Sequence, residues 1–90
     1  RRWRESARRL MARGSILSYL ARVYDANPEA EVSGPELQHE LRLDAGTVES
    51  CVRDLAREGL VEWDPLLSNI WLRITDKGLA VAARGDSSPA

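Results

Sequence analysis

Apolar residues recur at helical spacing through the first quarter of the chain. Trp3, Ala7, Leu10, Leu17, Ala21 and Tyr24 form a seam of three- and four-residue steps, with Gly14 filling the gap. Gly14-Ser15 is where such a run divides, because Gly lowers helix propensity and Ser caps a following helix. The spacing predicts an arm helix near 3–13 and a core helix near 15–25, or one continuous helix. Pro28 in "DANPEAE" ends the run in a loop. "VSGPELQHEL" opens a second helix. Ser33 and Glu36 make an S-x-x-E capping box, Pro35 suits the first turn, and Leu37 and Leu41 face inward one turn apart. Val32 just before it suits a strand of one or two residues. "RLD" is a tight connection, and Asp44 caps a third helix whose buried stripe is Val48, Cys51, Val52 and Leu55. Gly59 stops that helix as the residue past its C-cap.

The period then changes to two. Residues 60–63 form a short strand, "DPLLSN" a six-residue connection, and 70–75 a second strand. In the second, Ile70, Leu72 and Ile74 lie on one face, Trp71 and Arg73 on the other. The two strands make a β-hairpin. Thr75 or Asp76 caps a last helix reaching about residue 83, with Leu79 and Val81 or Ala82 for contact. "RGDSSPA" lacks a core residue and reads as a disordered tail over 85–90. The expected division is an arm over 1–14, a folded unit over 15–84 and the tail. Trp63 and Trp71 lie on paired strands, where they cover the sheet edge of the core or form an aromatic patch for a partner.

The stretch "ELRLDAGTVESCVRDLAREGLVEW…LRITDKGLA" resembles the winged helix-turn-helix fold, in particular bacterial transcription regulators of the MarR and PadR type. The matching pieces are Leu43-Asp44, Thr47-Val48, Leu55, Glu58-Gly59-Leu60-Val61 and Ile74-Thr75-Asp76-Lys77-Gly78, within residues 15–83. The resemblance implies an α+β, mainly α fold: a three-helix core, a two-stranded hairpin wing, an N-terminal helical arm and a C-terminal helix. It also implies that the third helix enters the DNA major groove with Ala45, Gly46, Thr47, Glu49, Ser50 and Arg53 toward the bases and Arg57 further along. Thr47 and Ser50 would donate to phosphate or base edges, Glu49 would accept from a cytosine amino group, and Arg53 would reach a phosphate or a guanine. The wing tip, Leu66, Leu67, Ser68 and Asn69, would lie near the minor groove. Leucines without Arg or Lys at that tip equally suit a protein contact.

Charge sharpens the choice. Residues 1–13 carry six arginines and one acid, a net of +5, whereas residues 14–90 carry seven bases and thirteen acids, a net of −6. DNA affinity comes largely from neutralising phosphates. The acidic body offers little of that, and the polar face of the third helix balances Glu49 and Asp54 against Arg53 and Arg57. DNA binding therefore depends on the arm, where Arg1, Arg2, Arg4, Arg8, Arg9 and Arg13 suit a phosphate backbone or a partner's acids. Trp3, Leu10 and Leu17 suit a homodimer seam or packing within one copy. This leaves two readings: a dimeric DNA-binding regulator, or an interaction module of a larger assembly that does not itself bind DNA.

Ninety residues suit one small domain. The chain begins at Arg1 rather than Met and is expected to be a piece of a longer protein. No apolar run approaches the roughly 18 residues of a membrane span. Cys51, the only cysteine, cannot pair internally, which fits a reducing cytoplasm. His39 and Cys51 lack further ligands or an orienting third group at useful spacing, so no metal site, cofactor or catalytic centre is expected.

Overall fold

The computed structural model describes residues 2–64 and 71–84, with side chains from residue 10 onward. The elements are α1 (Arg2–Ala26), β1 (Val32–Ser33), α2 (Gly34–Leu41), α3 (Ala45–Arg57), β2 (Val61–Trp63), β3 (Trp71–Ile74) and α4 (Asp76–Ala83). Four helices and a three-stranded antiparallel sheet make a small, mainly helical α+β structure. Residues 65–70 and 85–90 fall outside the described residues; they take in the predicted connection after Asp64, with Leu66, Leu67, Ser68 and Asn69, the first residue of the second strand, Ile70, and the tail.

Each of α2, α3 and α4 starts where its side-chain chemistry directs. Ser33, Asp44 and Thr75 have extended backbones, and each accepts a backbone N–H three residues on, from Glu36, Thr47 and Gly78. The capping box of α2 is only half formed. Glu36 donates its N–H to Ser33 Oγ at 3.1 Å, but its carboxylate accepts from the Tyr19 hydroxyl instead of returning to the cap. That bond joins α2 to α1, and by holding the phenolic proton it pushes the Tyr19 pKa up to about 12.

α1 is one helix, not two. Gly14 is buried inside it, and Ala12, Ile16, Leu17 and Leu20 on either side are in the core. A helical glycine costs about 1 kcal/mol, less than the burial of even one such side chain, so packing overrides the local break. The buried stripe is also rotated from the predicted seam. Leu17 is fully buried, whereas Leu10 is 64% exposed because it lies toward the free end of the helix.

β3 is the central strand, flanked by β1 and β2. The sheet therefore has one strand more than the predicted hairpin: Val32 pairs with Leu72 and Ser33 with Trp71. On the other side Val61 pairs with Ile74, Glu62 with Arg73 and Trp63 with Leu72. Directly opposed residues share a face and neighbours along a strand alternate. Val32, Val61, Trp63, Leu72 and Ile74 thus form the inner face, against α1 and α3, while Trp71 and Arg73 point outward. Trp63 and Trp71 start from opposite faces of the sheet, yet both line one open groove. β2 begins one residue later than predicted, because Leu60 is buried in the turn out of α3.

That turn is fixed by two glycines. Gly59 has φ +78°, the left-handed conformation expected past a helix C-cap. Gly78 has ordinary dihedrals, but a Cβ there would stand 2.1 Å from the Leu60 carbonyl oxygen. Neither atom can yield without moving backbone. Gly78→Ala is expected to destabilise the fold by about 2–3 kcal/mol, although Ala is the better helix former by about 1 kcal/mol. Arg42 caps α2 in the left-handed region at φ 55°. Arg42→Gly should accordingly stabilise by about 1 kcal/mol. Urea unfolding midpoints check both; an unchanged midpoint for Gly78→Ala would overturn the first expectation.

Candidate nucleic-acid interface

The side of α3 away from the core is open among the described residues. Ala45, Gly46, Glu49, Arg53 and Arg57 are exposed, and Thr47, Ser50 and Asp54 are half-buried. The fully buried stripe of Val48, Cys51, Val52 and Leu55 anchors the opposite side. Glu49, Arg53 and Arg57 stand four residues apart and so form one row along the exposed surface. Arg53 Nη2 lies 2.8 Å from Glu49 Oε2, with both side chains just over half exposed. An exposed pair of this kind contributes about 0.3–0.5 kcal/mol. A bidentate guanine contact is worth about 1–3 kcal/mol, more than such a pair, so the pair does not by itself commit Arg53. Arg57 makes no hydrogen bond or ion pair with any described residue.

Thr47 is placed differently from the role the resemblance implies. Its N–H donates to Asp44 Oδ2 at 3.1 Å and its hydroxyl to Asp44 Oδ1 at 2.6 Å. The hydroxyl proton is therefore committed to the cap, leaving only an acceptor toward solvent. The same hydroxyl bond, together with the bond from the Thr47 N–H, holds the Asp44 carboxyl below its usual range. Asp44 is thus firmly ionised at the amino end of α3, where a phosphate would approach.

The arm joins the interface through Arg13, whose two terminal nitrogens donate to the two carboxylate oxygens of Glu58 (Nη2 to Oε1 at 3.0 Å). Those hydrogen bonds hold the Glu58 carboxyl below its usual range. Arg13 therefore locks α1 onto the end of α3, and does not serve as the phosphate contact its sequence position suggests. Sequence reasoning missed this pair; the 45-residue separation carries no local signal. N-terminal to the clamp, the helix continues through Arg9, Arg8, Arg4 and Arg2. Eleven residues at 1.5 Å each carry it about 16 Å beyond Arg13. The side chains of Arg2, Trp3, Arg4, Arg8 and Arg9, and all of Arg1, lie outside the described residues. Of the predicted seam, Leu10 is exposed, as is Met11 beside it, but Leu17 belongs to the core of its own domain. It cannot serve a dimer contact.

Among the described residues there is no group of three or more His, Cys, Asp or Glu side chains able to hold a metal ion. None of their helices is long and apolar enough to cross a membrane.

Both depressed carboxyls give stability the same pH sign. Each binds its proton more weakly folded than unfolded, so each stabilises above the unfolded carboxyl pKa of about 4 and loses that contribution as pH falls through the folded value. Urea midpoints should be flat from about pH 7 to 5 and fall below about pH 4. Arg13→Ala should lower the neutral-pH midpoint and make the acid decline shallower; parallel curves would show that the pair is not formed in solution. No known protein family, curated protein or solved structure matches this chain, so function must be argued from the arrangement of these side chains.

Proposed function

We propose that the chain is a DNA-binding domain of the winged helix-turn-helix kind, serving a transcription regulator, with α3 in the major groove and the basic arm on the phosphate backbone. The observation that carries this reading is the open row on α3. A helix joined to α2 by three residues is buried on one side by four apolar residues and presents Glu49, Arg53 and Arg57 on the other. On this reading the antiparallel strands β2 and β3, next in the chain, would serve as the wing.

Roles divide by charge and reach. Arg53 and Ser50 read base edges, Arg57 contacts a phosphate, and Arg4, Arg8 and Arg9 supply the remaining neutralisation. Thr47 orients the start of α3 through Asp44 and does not donate to DNA. The local balance of α3 is close to neutral, so affinity is modest and depends steeply on salt through the arm.

Gel-shift titration with a mixed duplex pool at low and moderate salt tests the reading; absence of salt-dependent retardation at micromolar protein would sink it. Arg53→Ala should weaken the selected duplex by about 1–3 kcal/mol and relax specificity at one position. Arg8→Ala should weaken all duplexes alike and reduce the salt slope by about 1. Glu49→Gln should tighten binding, because it frees Arg53 and removes an anion from the groove face.

A further inference from the structure

The sheet carries an open groove of about 560 Å³, none of whose lining residues belongs to α3. Trp63, Trp71 and Val61 give it apolar surface; Glu31, Glu62, Asp64 and Arg73 give it charge. Small-molecule sites span about 300–1,000 Å³ and combine apolar walls with a few placed polar groups, and this groove has both properties. The strand register brings the charges together. Arg73 stands opposite Glu62 across the β2–β3 ladder, and its guanidinium lies 4.0 Å from the Glu31 carboxylate, the limit of an ion pair. Asp64 already has a partner. Without it, two carboxylates still face one guanidinium, so the groove keeps an excess of negative charge. Trp71 is 43% exposed, and the half-buried Trp63 has an indole N–H that meets no acceptor among the described residues. No hydrogen bond to them has to break if that ring adjusts to a ligand.

We infer that this groove binds a small planar cation of the guanidinium or amidinium class, carried on an apolar body. A cation over an indole face is attracted by the quadrupole of the ring. A planar, delocalised cation stacks there while its N–H groups pair with carboxylates at the rim. Trp71 supplies the exposed ring, and Glu31 and Glu62 supply the acceptors. Val61 and Trp63 offer apolar surface to the body of the ligand. Each alternative ligand lacks one of these contacts. A compact ammonium is strongly hydrated and does not stack, a neutral ring has no charge to pair, and an anion meets Glu31 and Glu62. The site uses no residue assigned to DNA, so it stands or falls independently of the proposed function.

Titration of the full 90-residue chain with benzamidinium chloride, followed by the indole N–H signals in proton–nitrogen correlation spectra, tests the site. The chain holds three tryptophans, and Trp63→Phe and Trp71→Phe assign their signals. The Trp63 and Trp71 signals should shift saturably, with a dissociation constant of about 1 mM or tighter. Neutral benzamide, nearly the same in shape, should bind at least about fivefold more weakly. Glu31→Gln with Glu62→Gln should weaken benzamidinium about fivefold and leave benzamide unchanged. Trp71→Ala, at an exposed position, should weaken benzamidinium by a similar factor. No saturable shift of either signal up to about 10 mM overturns the inference. So does equal affinity for benzamide and benzamidinium in the unaltered chain, a comparison that needs no variant to fold. Benzamidinium affinity that ignores the loss of both Glu31 and Glu62 charges overturns it as well.

Discussion

The structure depends on how closely α4 approaches the turn that leaves α3. Three consecutive carbonyls, of Glu58, Gly59 and Leu60, are each met by a donor from the start of α4. Lys77 Nζ reaches the first at 3.0 Å, Thr75 Oγ1 the second at 2.6 Å and the Thr75 N–H the third at 3.1 Å. The Leu60 N–H returns to Leu55 O at 2.9 Å. The Glu58 and Gly59 carbonyls are at the surface, but Leu60 is buried, and a buried backbone group left unpaired there would cost about 1–3 kcal/mol. The junction forms only because Gly78 has no Cβ. The contact fixes the direction in which β2 leaves α3 and, through the ladder, the orientation of the sheet. The exposed row of α3 and the outer face of the sheet hold their relative positions for that reason.

Much of this was legible in the sequence because local chemistry specified it. Ser33, Asp44 and Thr75 are caps by residue type and by standing immediately before a helical run. Val48, Cys51, Val52 and Leu55 declare a helical stripe, and Leu72 and Ile74 alternate with Trp71 and Arg73. Gly59 had a local reason for being glycine. Gly78 did not, since its constraint is an atom eighteen residues away, and only the Ile-Thr-x-x-Gly pattern hinted at it. The same limit explains the other misses. Glu36 was expected to close its own cap, but Tyr19, seventeen residues upstream, takes its carboxylate. The apolar seam of α1 was drawn through Leu10 and Leu17 at good helical spacing. Which side of a helix meets the core depends on where the other elements end, and the periodicity of one helix does not contain that.

Counting charges located the acidic body and the basic arm, but pairing redistributes them. Arg13 belongs to the arm by sequence and to the body by structure, since Glu58 holds it with both oxygens. Arg53 is restrained only by an exposed neighbour, and a restraint of a few tenths of a kcal/mol does not decide what it binds. Asp44 is the stronger obstacle to a polyanion. Its charge is secured by the bonds that start α3, so it cannot be relieved by protonation near neutral pH without loosening the helix itself. On the proposed DNA-binding reading, the burden of phosphate neutralisation falls on the arm rather than on α3.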